Sequence, residues 1–175
     1  GDDFTAAATA TNGTILWTTI GTGTFGDATI EDAVYSPSAA DITAGSVTLT
    51  MTVTGTGAGC GSTIVNDTII VNISAAPTAD AGAASADLCA GDDFTAAATA
   101  TNGTILWTTS GSGTFGDATI EDAVYTPSAA DITAGTVDLT MTVTGTNTGC
   151  GTTIVNSVIT LNIGAAPTAD AGAAS

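Results

Sequence analysis

Residues 1–85 return as residues 91–175 with 13 differences, which leaves 72 identical positions. Gly1-Asp2-Asp3-Phe4-Thr5 reappears as Gly91-Asp92-Asp93-Phe94-Thr95. A period of this length is too long for most solenoid repeats and suits a self-contained β-sandwich of about 100 residues. Each unit must then bury its own core. The chain reads as tandem beads: residues 1–76 form one repeat whose N-terminal strand lies outside the window. Residues 77–166 form the next, and residues 167–175 are linker or the start of a third.

Within a unit the signals are those of short strands. Val47-Thr48-Leu49-Thr50-Met51-Thr52-Val53-Thr54 alternates apolar residues with Thr, the period of a half-buried strand. Val47, Leu49, Met51 and Val53 are placed inward. Their copies Val137, Leu139, Met141 and Val143 are unchanged, while the outward Thr48 becomes Asp138. Ile69, Val71 and Ile73 take the inward role in the last strand. Phe4 to Ala10 reads as a strand that turns at Asn12-Gly13, a pair favoured in type I′ hairpins, into a second strand through Trp17. A Gly-rich corner from Gly21 to Gly26 follows, then a short strand from Thr29 to Tyr35. Ser38 reads as the N-cap of one helical turn, with Asp41 in its first turn and Gly45 as its stop. Phe4, Trp17 and Tyr35, with their copies Phe94, Trp107 and Tyr125, complete the expected core. Seven or so strands per unit and almost no helix give an all-β class, tandem Ig-like β-sandwich domains in a linear array. The small-residue stretch Ala75 to Ser85 is linker or a first edge strand.

The chain holds no Lys, Arg or His against 17 Asp and Glu, a formal charge of −17. Nucleic acid is excluded as a partner, because its phosphates are held by Lys and Arg. Attraction to anionic membranes fails for the same reason. Without His or Lys there is no Ser-His or Cys-His pair, no Schiff base and no His-ligated zinc. Hydrophobic residues at 43% separate the chain from acidic disordered tails. No apolar run reaches the roughly 18 residues of a membrane helix, so direct membrane insertion is not expected.

The strings Cys89-Ala90-Gly91-Asp92-Asp93-Phe94-Thr95, Leu106-Trp107-Thr108-Thr109-Ser110-Gly111-Ser112-Gly113-Thr114-Phe115 and Tyr125-Thr126-Pro127-Ser128-Ala129-Ala130-Asp131 resemble the tandem Ig-like and PKD-like repeats of Bacteroidetes cell-surface proteins. Gliding adhesins of the SprB type are members of that group, and Ala76-Pro77-Thr78-Ala79-Asp80-Ala81-Gly82 matches its linker string. The resemblance covers essentially the whole chain. It implies long, exported, filamentous surface proteins, and it brings no catalytic residues with it.

Cys89 and Cys150 stand 61 positions apart within one unit, and Cys60 would have its equivalent partner just before residue 1. Pairing Cys89 with Cys150 would make a disulfide framework and imply an oxidising, extracellular setting. A staple between neighbouring beads and two free thiols are the competing readings. Asp80, Asp87, Asp92 and Asp93 cluster around the bead junction, and calcium is the ion such oxygen donors would suit, although the spacing is not that of an EF-hand loop. Asp27, Glu31, Asp32 and Asp41 mark another set of loops, for which solvated acids are the plain alternative. Paired carboxylates also raise a glycosidase, with no aromatic-lined cleft to support it. Thr48, Thr50, Thr52, Thr54 and Thr56 form an outward Thr ladder of the kind used to bind ice, interrupted in the second copy by Asp138.

These readings converge on a non-enzymatic extracellular structural protein, the repeat array of a surface filament or adhesin stalk. Its partners would be neighbouring repeats of the same chain and other copies in a filament. No cofactor is expected apart from the calcium alternative. A calcium- or glycan-binding surface module is the competing class, and it predicts an aromatic-lined pocket near Trp17 or Tyr35 where the structural reading predicts burial.

Overall fold

Two sheets enclose one core in the first unit, Gly1–Ala75. Its strands are β1 (Phe4–Thr5), β2 (Gly13–Thr19), β3 (Thr24–Phe25), β4 (Val34–Ser36), β5 (Ser46–Gly55) and β6 (Ile64–Asn72), with a single helix, α1 (Ala39–Ala44). One sheet runs β1-β4-β3 and the other β2-β5-β6, all antiparallel. The computed structural model describes residues 2–61, 63–147, 149, 153–169 and 172.

The second unit, Ala76–Ser175, repeats this plan with additions. Its elements are β7 (Thr78–Asp80), β8 (Ser85–Cys89), β9 (Phe94–Thr95), β10 (Thr99–Thr101), β11 (Gly103–Thr109), β12 (Thr114–Phe115), β13 (Val124–Thr126), α2 (Ala129–Ala134), β14 (Thr136–Gly145) and β15 (Ile154–Gly164). The main sheet has the order β11-β14-β15-β8, and β8 runs parallel to β15 with Ser85 opposite Thr160 and Cys89 opposite Gly164. A short ladder pairs β7 with β10, and β12-β13-β9 form the facing sheet. The stretch from Ala75 to Ser85 is therefore an edge element of its own unit, carrying β7 and leading into β8.

The Thr strand behaves as its alternation dictates. Val47, Leu49 and Val53 are buried, as are Val137, Leu139, Met141 and Val143, and Met51 is half-buried. Trp17, Tyr35, Trp107 and Tyr125 are buried, and Phe4 and Phe94 pack against the cores from the sides. Phe25 lies between Trp17 and Tyr35, at centroid distances of 6.1 and 5.0 Å, and Phe115 repeats this in the second unit. Such tilted aromatic contacts add to the area they bury.

Three sequence expectations change. The strand from Phe4 to Ala10 shrinks to Phe4–Thr5, which pairs with β4 instead of forming a hairpin with β2. Asn12 does take the left-handed region, with φ 59°. Gly13 instead opens β2 and is needed for space, since a Cβ there would stand 2.6 Å from the Thr54 carbonyl oxygen and from Val53 Cγ1. The strand expected from Thr29 to Tyr35 is only Val34–Ser36, because Asp27 folds the chain before it into a turn by accepting from the Thr29 amide and hydroxyl at 2.8 and 2.6 Å. The helical turn forms as read, with Ser38 as N-cap and Gly45 in the left-handed C-cap position.

The units differ most at the last strand. Ile159, Leu161 and Ile163 are buried in β15, whereas Ile69 of β6 is 41% exposed and Val71 and Ile73 are half-buried. In the second unit β8 covers the edge of β15, and β7 packs against β14 and β15. Among the described residues the first unit has no counterpart of either strand.

Candidate functional site

The most constructed polar cluster is one that sequence reading left among solvated loops. Asp41 is buried, not solvated, because α1 turns its first-turn carboxylate toward the Gly-rich corner. Ser38 and Asp41 form a reciprocal capping box, the Ser38 hydroxyl accepting from the Asp41 amide at 3.2 Å and Asp41 Oδ2 accepting from the Ser38 amide at 3.0 Å. The carboxylate then accepts from the Thr22 and Gly23 amides at 3.0 and 2.8 Å and from the Tyr35 hydroxyl at 2.9 Å. The copy is close: Asp131 accepts from the Ser112 and Ser128 amides at 3.0 and 2.8 Å and from the Tyr125 hydroxyl at 2.9 Å.

These bonds set the protonation states. Backbone donation from Ser38, with further donors at Thr22 and Tyr35, outweighs burial and holds Asp41 well below the usual carboxylate range. Burial would raise Asp131, but donation by Ser112, Ser128 and Tyr125 wins and brings it from an ordinary 3.8 to about 2. Burial pushes Tyr35 and Tyr125 upward, reinforced by the neighbouring carboxylates. At neutral pH the pair is thus a fixed acceptor and a fixed donor, without a proton to exchange near pH 7. Its chemistry is that of a pin joining helix, corner and facing sheet. The legible signal was Ser-Ala-Ala-Asp after Tyr-x-Pro, which announced the cap without announcing its burial.

The junction acids do not converge. Asp80 accepts from the Gly82 amide at 2.9 Å, Asp87 from Asn162 Nδ2 at 3.0 Å and Asp93 from the Thr126 hydroxyl at 2.7 Å, while the Asp92 amide donates to the Cys89 carbonyl. Among the described residues no three acidic, Cys or His side chains gather where a metal ion could be held. Cys60 and Cys89 are exposed, and the partner expected for Cys89, Cys150, lies outside the described residues.

The aromatic residues a binding module would present point inward. Tyr35 and Tyr125 have no exposed surface, and Trp17 and Trp107 donate their indole N–H to the Ile30 and Ile120 carbonyls at 3.0 Å. The Thr ladder is not a uniform hydroxyl array. Leu16 lies opposite Thr52, and Ile70 and Ile64 lie opposite Thr48 and Thr54, all three apolar residues exposed. Asp138, where the ladder breaks, accepts from the Thr160 hydroxyl at 2.7 Å.

No protein-family profile matches the chain, and no curated protein does. Among solved structures it is similar to protocadherin gammaB7 EC3-6 in a cis-dimer structure, with 12% identity over 95% of this chain and 43% of that one and a TM-score of 0.45. Human CDH23 EC21-23 is similar at 11% identity over 93% of this chain and 69% of that one, TM-score 0.46. Human protocadherin-24 EC1-2 follows at 12% identity over 89% and 84%, TM-score 0.45. The chain thus spans less than half of the protocadherin gammaB7 chain. No helix among the described residues is long and apolar enough to cross a membrane.

Proposed function

We propose that this chain is a segment of a non-enzymatic extracellular structural protein, the repeat array of a surface filament or adhesin stalk used in attachment or gliding. The observation that carries the reading is the fate of the repeated aromatic and acidic residues. Tyr35, Trp17 and Asp41, with Tyr125, Trp107 and Asp131, are all consumed inside their own units. What the 72 identical positions preserve is therefore a way of building one bead. The tandem sandwiches and the Bacteroidetes-type motif strings support the same reading, as does a surface with no cation, which offers trypsin-type proteases no cleavage site.

In this reading the bead contributes length and durability, and its partners are adjacent beads of the same chain and other copies. Electron microscopy of the native material tests it. Beaded strings or filaments are the expected image, and isolated globules would sink the proposal.

A further inference from the structure

Three of the 13 differences between the repeats fall in one row across the main sheet. In the second unit that row is Ser110, Asp138 and Thr160, and it is polar and bonded. The Asp138 amide donates to Ser110 Oγ at 2.9 Å, and the Thr160 hydroxyl donates to Asp138 Oδ1 at 2.7 Å. In the first unit the same places hold Ile20, Thr48 and Ile70. Thr48 lies opposite Ile70, and the Ile20 amide donates to the Thr48 carbonyl at 3.3 Å, so the two Ile flank one Thr. Ile20 is 81% exposed and Ile70 65%.

This row ends an outward face that carries no charge. Every second residue from Thr14 to Ile20, from Thr48 to Thr54 and from Ile64 to Ile70 is Thr, Asn, Leu or Ile. Asp67, the acid of β6, stands opposite Met51 on the other face. The exposure belongs to the face and not to the edge of the sheet. In the second unit, where β8 borders β15, Leu106 and Val158 are 52% and 48% exposed at the positions of Leu16 and Thr68.

Charge decides what such a face can meet. All 17 charged side chains are acidic, so copies of the chain repel wherever their acids face one another. A face of Thr rows and exposed Ile lifts that repulsion and supplies apolar area to bury. It is a flat sheet surface without an aromatic ring, whereas small-ligand sites are concave and lined by apolar and aromatic side chains. In the second unit Asp138 closes the same face to pairing, because a second copy would bring another carboxylate against it and strip both of water.

We propose that the outward β2-β5-β6 face of the first unit pairs with the same face of a second copy of this chain, Ile20 and Ile70 of each copy covering the Thr rows of the other, and that Ser110, Asp138 and Thr160 bar the second unit from this contact. The same patch serves both copies, so the contact closes as a dimer. Three strands by four rows make a face of roughly 14 by 25 Å, about 350 Å² per copy in plan. That is the small, transient end of protein interfaces. This pairing rests on the surface-filament reading in that it gives its other copies a contact surface, and the two fail separately, since beaded strings of single chains need no pairing.

The test is sedimentation of the 175-residue chain up to about 1 mM, in about 0.5 M salt to screen the acids that remain around the face. The weight-average mass should rise with concentration toward that of a dimer and no further. The triple variant Ile20→Ser/Thr48→Asp/Ile70→Thr carries the second unit's row into the first, so it should melt as the parent chain does. It should associate about tenfold or more weakly, since it sets a carboxylate in the contact. Ile20→Ser/Ile70→Thr, which adds no charge, should weaken association in the same direction. A parent chain that is monomeric throughout would overturn the proposal, as would association that the triple variant leaves unchanged or that grows past the dimer. So would a monomeric parent chain slowed in a gel containing a neutral β-glucan and not in a plain gel, which would assign the face to a polysaccharide.

Discussion

Replacing Tyr125 by Phe removes one oxygen from the interior and nothing else. That oxygen donates to Asp131 Oδ2 at 2.9 Å and lies 3.0 Å from the Thr109 hydroxyl, in a side chain with no exposed surface. The aromatic core contact with Phe115, at 5.0 Å, is unaffected. A hydrogen bond to a charged group contributes about 1.5–3 kcal/mol, and Thr109 also loses its hydroxyl contact, so the expected loss is about 2–3 kcal/mol. For a domain of this size each kcal/mol moves the melting temperature by roughly 4–8 °C, so a fall of roughly 10–20 °C is expected. Scanning calorimetry should resolve the affected unit from the other, and Tyr35→Phe should lower the first unit in the same way. A shift of less than about 2 °C in both variants would refute the pin, because it would mean the carboxylate keeps its bonds without the phenol.

Acid should act through the same carboxylates. Asp131 falls from 3.8 to about 2 on folding, so its contribution is complete above pH 4 and is lost as pH drops through about 2. Asp41 shifts the same way, and an Asp131→Asn variant in urea titrations between pH 5 and 2 should lose stability overall and show a shallower acid limb. Gly111→Ala should destabilise the second unit by about 1–3 kcal/mol in urea melts, since a Cβ there would overlap Asp131 Oδ1 and stand 2.9 Å from Val137 Cγ2. Because chain donors already occupy Asp80, Asp87 and Asp93, the melting temperature should be the same with calcium and with EDTA; a rise of several degrees with calcium would contradict the placement of these acids.

Much of this fold is written in period-two alternation, and the parts that are not had other causes. Val47 to Val53 and their copies could be placed because the strand is central and one face is buried, so each inward residue has to be apolar. Phe4 to Ala10 alternates as well, yet only two residues pair, because Phe4 and Thr5 lie against β4 while Ala6 continues by donating its amide to the Ala33 carbonyl. The burial of Asp41 was hidden because a capping carboxylate and a solvated one look alike in sequence; the difference lies in Tyr35 and the Thr22 and Gly23 amides, brought up from elsewhere in the chain. The edge role of Ala75 to Ser85 was equally hidden. Ala and Gly, which dominate the stretch with Pro77, are depleted in strands, and β7 and β8 exist because β10 and β15 offer them partners.

The missing cations acquire a structural meaning from these contacts. With no Lys, Arg or His, every carboxylate that is held is held by a neutral donor: Glu31 by the Ala10 amide at 2.7 Å, Asp27 by Thr29, Asp87 by Asn162, Asp41 by three amides and a phenol. Backbone amides and hydroxyls are directional and fixed by the fold, so each acid reports a local geometry. An ion pair would tolerate a range of distances. The abundance of Thr and Gly then does more than fill strands, because Thr supplies hydroxyl donors and Gly lets amides approach a carboxylate closely. The consequence for the whole chain is one-sided electrostatics. Every interaction between charged side chains is repulsive, and screening salt can only relieve it. Added salt should therefore stabilise each unit and favour association of copies, the opposite of a protein held by ion pairs.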